Sequence, residues 1–195
     1  MNYKKLSVAA FMLTCLAQLY VPGKMILDRE DVLKTGIEYK FRTEPVDPND
    51  PFRGKYIVLG FQDNTFEVPA NSEIDDRSTV YLQFENDAEG FAQIKDVMLS
   101  APPHDDFLMT TVLYSTTTMK TGKKKLNIYY PFDRYYMEEY KAPQAEETYR
   151  EANRDTSSVT YALVNIKNGE AVLKDVVINE ESIKDIVEGR MKNEK

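Results

Sequence analysis

Apolar and polar positions follow three successive patterns along the chain. From Leu6 to Val21 the run LSVAAFMLTCLAQLYV carries no charge for sixteen positions, with Lys4 and Lys5 before it and Pro22-Gly23 after it. A helix needs about 17 to 25 apolar residues to span a bilayer, and a secretory signal core needs about 7 to 15. The run fits a retained signal-anchor and a cleaved signal peptide alike. Tyr3 and Tyr20 resemble interfacial anchors of a retained helix, whereas Cys15 and Ala17 would allow cleavage before Gln18. Pro22-Gly23 should stop or kink the helix. In either version the lysines stay in the cytoplasm and the rest of the chain is exported.

The second pattern is short. MILDREDVLK, Met25 to Lys34, spaces apolar residues at helical intervals with acids early, Lys34 late and Gly36 to end it, which predicts an amphipathic stalk. From Ile37 the period falls to two, in segments rich in β-branched and aromatic residues: IEYKFRT, KYIVLGF, NTFEVP, STVYLQFE, FAQIKDVMLS, FLMTTVLYST, LNIYYPF, SSVTYALVNI and AVLKDVVI. Turn residues such as Asp63-Asn64, Asn86-Asp87 and Asn168-Gly169 separate them. KAPQAEETYREAN, Lys141 to Asn153, is the internal helix candidate, with Pro143 near its start. The expected organisation is residues 1–23 as signal-anchor or signal peptide, 24–36 as stalk and 37–195 as an extracytoplasmic domain. Its fold class is mainly β: an antiparallel barrel or sandwich, with the N-terminal membrane helix and one or two short helices.

Two stretches resemble each other. STVYLQFENDAEGFAQIKDVMLS and SVTYALVNIKNGEAVLKDVVIN share a tyrosine-led strand, a turn and a second strand carrying Lys95-Asp96-Val97 or Lys174-Asp175-Val176. Tyr161 follows Tyr81, and Pro131-Phe132 follows Pro51-Phe52, at one spacing of 80 residues. A duplicated β unit, near 45–101 and 126–179, accounts for this, and so does the general likeness of β-hairpins.

Charge narrows the function. The formal net charge is −7, and the chain beyond Gly23 is more acidic still because Lys4 and Lys5 precede it, which argues against nucleic acid as a partner. The basic run Lys123-Lys124-Lys125 beside Gly122 reads as a solvated turn. The lone Cys15 lies in the apolar run, so the exported part has no disulfide, no cysteine nucleophile and no zinc knuckle. His104, in a proline-bounded acidic loop, reads as loop rather than metal ligand, and no cofactor or metal is expected.

The densest punctuation is PVDPNDPFRGKYIVLGF, Pro45 to Phe61. Pro45, Pro48 and Pro51 fix φ and extend their predecessors, while Asp47 and Asp50 can accept local N–H bonds and Arg53 offers a planar fork to either carboxylate. Gly54 permits a close backbone approach before the strand. A self-satisfied rigid turn explains these residues; so does a binding surface.

This stretch resembles the signature of the GDYXXLXY family of uncharacterised bacterial proteins, roughly P-x-D-P-x-D-P-x-R-G-D-Y-x-x-L-x-Y. Pro45, Asp47, Pro48, Asp50, Pro51, Arg53, Gly54, Tyr56 and Leu59 fall on it, while Lys55 replaces its aspartate and Phe61 its last tyrosine. DRYYMEE is similar to a second family element, E-R-Y-F-x-x-E, through Arg134, Tyr135 and Glu139, with Asp133 and Tyr136 as substitutions. The resemblance covers nearly the whole chain. It implies a domain tethered to the bacterial cytoplasmic membrane and facing the periplasm or exterior.

Under the 80-residue spacing the two motifs occupy equivalent positions and should meet. Asp47, Asp50, Arg53, Gly54, Arg134 and Glu139, walled by Tyr56, Tyr135 and Tyr136, are the candidate binding cluster. A non-enzymatic binding or assembly module for an integral membrane or envelope protein is the first reading, since no nucleophile–base–orienter set stands out. The alternative is a carboxylate-based envelope hydrolase, with Glu139 as general acid and Asp47 or Asp50 as base. Arginines beside those carboxylates would lower their pKa, the wrong direction for an acid.

Overall fold

The computed structural model describes residues 3–45, 56–104, 106–118, 122–155 and 157–193. It opens with helix α1, Tyr3–Thr35, and continues through β1 (Ile37–Glu44), β2 (Tyr56–Val58), β3 (Gly60–Phe61), β4 (Thr65–Pro69), β5 (Thr79–Asn86), β6 (Ala92–Met98), β7 (Leu108–Thr118), β8 (Lys123–Ile128) and β9 (Arg134–Tyr136). Helix α2 (Ala142–Arg154), strands β10 (Thr160–Lys167), β11 (Glu170–Ile178) and β12 (Glu181–Ser182), and helix α3 (Ile183–Asn193) complete it. The described strand pairs are antiparallel, in sheets ordered β12-β11-β10-β1-β3 and β4-β8-β7-β5-β6 with a ribbon β2-β9, and they curl into a nearly closed, barrel-like arrangement. The period-two segments are strands as expected, most of them placing one row of side chains on a shared core, while β10 is buried on both faces.

That core is aromatic at its centre. Phe41 lies 5.0 Å from Phe132, 5.1 Å from Phe84 and 5.4 Å from Tyr130, centroid to centroid. The Tyr130 and Phe132 rings stack at 5.1 Å, and the Tyr130 hydroxyl donates to Asp63 O at 2.5 Å.

Hairpins β5–β6 and β10–β11 each carry a register shift, between Gln83 and Phe84 and between Leu163 and Val164, again 80 residues apart. Opposite each shift an aspartate accepts the next N–H: Asp96 from Val97 at 2.8 Å and Asp175 from Val176 at 2.9 Å. A bulge leaves one backbone group without its ladder partner, and a short carboxylate beside it can supply an acceptor.

Three local expectations differ from the structure. Helix α1 runs unbroken through Pro22, because losing one i→i−4 bond need not end a helix whose flanking turns are intact. The stalk is thus the last turns of one helix, and apolar exposure continues past Pro22 through Met25, Ile26 and Leu27. Lys123-Lys124-Lys125 begins β8 instead of forming a solvated turn: the Lys124 side chain is 8% exposed and donates to Ser72 O at 3.0 Å, Ile74 O at 3.1 Å and Asp75 Oδ1 at 2.8 Å. Helix α3 is an additional element, set on the core by buried Ile183 and Val187 with Ile186 and Met191 beside them.

The end of α1 is built into the domain. Val32 is buried, Arg29 Nη1 donates to Ala171 O at 2.9 Å, Lys167 Nζ meets Asp31 Oδ2 at 2.9 Å, and Asn165 Nδ2 donates to Leu33 O at 3.2 Å. At the junction a Cβ on Gly36 would stand 2.5 Å from Val32 O and 3.0 Å from Ile166 O. Gly36→Ala must therefore push helix and strand apart. It is expected to cost about 1 to 3 kcal/mol, as overpacking does, and to make the junction easier to cleave. Limited proteolysis with mapping of cuts around residues 33–38 checks this, and unchanged protection would contradict it.

Candidate functional site

Tyr-Ile-Val and Arg-Tyr-Tyr are strand-forming triplets, and the chain brings them together as the ribbon β2–β9. Tyr56 faces Tyr136, Ile57 faces Tyr135 and Val58 faces Arg134. The pleat then sorts the side chains. Ile57 and Tyr135 point into the core, while Tyr56, Val58, Arg134 and Tyr136 line the outer face. The outer rings of Tyr56 and Tyr136 lie 5.4 Å apart, and the Arg134 guanidinium sits 5.1 Å from the Tyr56 centroid. Arg134 is held further into its charged form, first by a hydrogen bond to Tyr136 and then by Tyr56 and Asp133, the latter at 3.9 Å. Tyr136 is 62% exposed even so.

Tyr135 plays a different part from its neighbours. Its ring is buried, its hydroxyl donates to Asp175 Oδ1 at 2.7 Å, and Lys184 Nζ lies 5.4 Å from its centroid. Burial, with Asp175 adding, pushes its pKa far above the usual phenol range, so it stays a protonated donor. It does not wall the outer surface. Asp175 is the partner that sequence reading missed as such, although the matching Lys-Asp-Val triplets marked the position.

Glu139 is exposed in the turn between β9 and α2. That turn is fastened by Lys141, which meets Glu188 Oε1 at 2.7 Å and Glu138 Oε2 at 3.0 Å, and the two carboxylates raise its pKa. Glu138 and Glu188 are correspondingly lowered, Glu138 first by Tyr140 and then by Lys141, Glu188 by Lys141. Asp47, Asp50, Arg53 and Gly54 lie outside the described residues. The structure thus brings Tyr56, Arg134 and Tyr136 together and turns Tyr135 inward.

Pro45, just after β1, lines a cleft of about 350 Å³. Its lining includes Thr43, Gln62, Asn153 and Thr160, and Thr43 Oγ1 donates to Thr160 Oγ1 at 2.8 Å. Arg42 and Asp155 line the cleft as well, so among the described residues it holds one carboxylate rather than the pair that an acid–base centre needs. Among the described residues no group of three or more His, Cys, Asp or Glu could hold a metal ion, and His104 Nε2 is 2.6 Å from Gln83 Nε2. Two tilted tyrosine rings with an arginine suit aromatic, carboxylate or backbone-carbonyl groups of another molecule.

Helix α1 is long and apolar enough to cross a membrane by length and composition. Neither the curated proteins nor the solved structures give a match. A family model described as GDYXXLXY protein matches residues 18–176, which takes in both motifs and the ribbon they form, and the chain belongs to that family.

Proposed function

We infer that this protein is a membrane-tethered extracytoplasmic module that docks a membrane or envelope partner through the outer face of the β2–β9 ribbon. The observation that carries this reading is the pairing of two distant motif segments. It leaves Arg134 and Tyr136 exposed beside a half-buried Tyr56 on one face, while the core is filled by Ile57 and Tyr135 behind them. A large aromatic ring left in water beside a guanidinium is poor for folding alone and good for binding.

A retained anchor fits the helix better than a cleaved signal. Cleavage before Gln18 would leave Leu19, Tyr20, Val21 and Met25 to Leu27 as exposed apolar surface on an otherwise polar stalk. The lysines before the run favour a cytoplasmic N-terminus and hence an exported domain. The matching register shifts favour duplication of one β unit, with the ribbon between the copies.

The test compares partners recovered from solubilised membranes for the native protein and for Arg134→Ala and Tyr136→Ala. Both side chains are largely exposed, so each variant should melt within about 0.5 kcal/mol of the native stability. Partner recovery should fall several-fold with folding intact. An unchanged set of partners would remove this surface as a docking site.

A further inference from the structure

The domain carries an apolar row beside the β10–β11 turn, which faces the apolar part of α1. Following α1 back from Gly36, its neighbours run Asn165, Lys167, then Glu170 and Ala171, so the β10–β11 hairpin points its Asn168-Gly169 turn toward the apolar part of the helix. Asp28 and Asn168 line the same small recess there. Asp28 follows Leu27, the last exposed apolar residue of α1, and Asp31 is only about 6 Å further along the axis at 1.5 Å per residue.

Against that turn lies the start of β7. Gly169 N donates to Phe107 O and Met109 N donates to Gly169 O, both at 2.9 Å, and a Cβ on Gly169 would touch Met109 Cβ and Phe107 Cε2 at 3.1 Å. Met109 is 51% exposed. It pairs across the sheet with Tyr81, which pairs in turn with Met98, and directly opposed residues share a face. Val80, Leu82, Val97 and Leu108 fill the core, so Met98, Tyr81 and Met109 form an outward row, with Phe107 at 5.7 Å from the Tyr81 ring. Further along the same outward face, β5 turns polar at Gln83 and Glu85. On the other side of the row the face carries Thr79 opposite Thr111, so the row is a narrow apolar band beside the turn that meets α1.

The charges at this level are matched. Lys24 meets Asp28 at 2.5 Å, Lys167 meets Asp31 at 2.9 Å and Arg29 meets Glu170 at 3.5 Å, leaving little net field against a neutral headgroup layer. We propose that the Met98–Tyr81–Met109 row, with Phe107, rests in the lipid headgroup region and gives the domain a second membrane contact. Flexible thioethers and amphipathic rings suit that layer. The contact fixes the tilt of the domain, and so the height at which the β2–β9 ribbon is presented. The proposal rests on reading α1 as a retained membrane helix.

The chain contains no tryptophan, so single-tryptophan variants report one position each. Full-length Leu16→Trp, Met109→Trp, Met98→Trp and Val159→Trp are reconstituted into phosphatidylcholine vesicles, with and without lipid brominated near the headgroup or, for Leu16→Trp, near the end of the acyl chain. Val159, at the opposite end of β10 from the turn, is the solvent control. The expected result is loss of emission and a shift to shorter wavelength for Leu16→Trp and for both row variants, with Val159→Trp unaffected. Quenching at Leu16 without quenching at either row position would overturn the proposal and leave the anchor intact. No quenching at Leu16 would overturn the anchor and the proposal together. Quenching at Val159 equal to that at the row would also overturn it, since the domain would then have no preferred membrane face.

Discussion

Phe41→Ala is expected to destabilise the domain by about 3 to 5 kcal/mol, a large fraction of the net stability of a single domain. Phe41 is almost fully buried and its ring is in contact distance of Tyr39, Phe61, Phe84, Tyr130 and Phe132. Those partners come from β1, β3, β5 and the segment between β8 and β9, so the cavity would open where both large sheets meet. Edge-to-face and tilted ring pairs add to the area term, and all of those made by Phe41 are lost at once. Neighbouring rings are themselves tightly packed and have little room to collapse into the space. Urea denaturation of the detergent-solubilised protein, followed by circular dichroism, measures the change. Tyr114→Ala, on an exposed tyrosine, should stay within about 0.5 kcal/mol. A Phe41→Ala loss below about 1 kcal/mol would mean that the aromatic cluster does not hold the sheets together.

The second large effect belongs to Lys124. Replacing it with methionine keeps most of the stem and removes the ammonium, leaving Ser72 O and Ile74 O without their donor. A buried acceptor left unmet costs about 1 to 3 kcal/mol, so the expected loss is about 2 to 4 kcal/mol. Asp75 is 74% exposed and can return to water, which keeps the cost below that of stranding a buried charge. Lys123, paired with Glu67 at 2.6 Å in an open setting, should lose only about 0 to 1 kcal/mol on the same substitution. The same denaturation experiment compares the two. Equal, small losses would support a solvated basic turn over the buried position.

These lysines show where sequence reading stops. Three identical side chains differ because the strand pleat turns Lys124 inward and the loop at Ser72 to Asp75 supplies its acceptors. The loop is distant in sequence, so nothing local announces it. By contrast, the alternation in Ile37 to Glu44 was legible, since a buried row on every second residue is a local signal. Pro22 misled because its cost is local while the helix is held at its far end by β10 and β11. Helix α3 carried a readable spacing of Ile183, Ile186, Val187 and Met191, but it follows directly on a strand-rich stretch that dominates the pattern around it.

The pairing of the two motifs was legible to a similar degree. The shared spacing pointed to a meeting of the two motifs, and β2 does pair with β9. Tyr135 and Tyr136 were equivalent in sequence, and only the register assigns one to Asp175 in the interior and the other to the surface. One residue of slip would exchange them.

Site-specific photo-crosslinking in intact membranes tests the proposed docking surface most directly. A photoreactive residue at position 136 should give a discrete adduct that Arg134→Ala abolishes, while the same residue at position 114, also an exposed tyrosine, should give none. Adducts of equal yield from both positions, or an adduct from 136 that survives Arg134→Ala, would contradict the account.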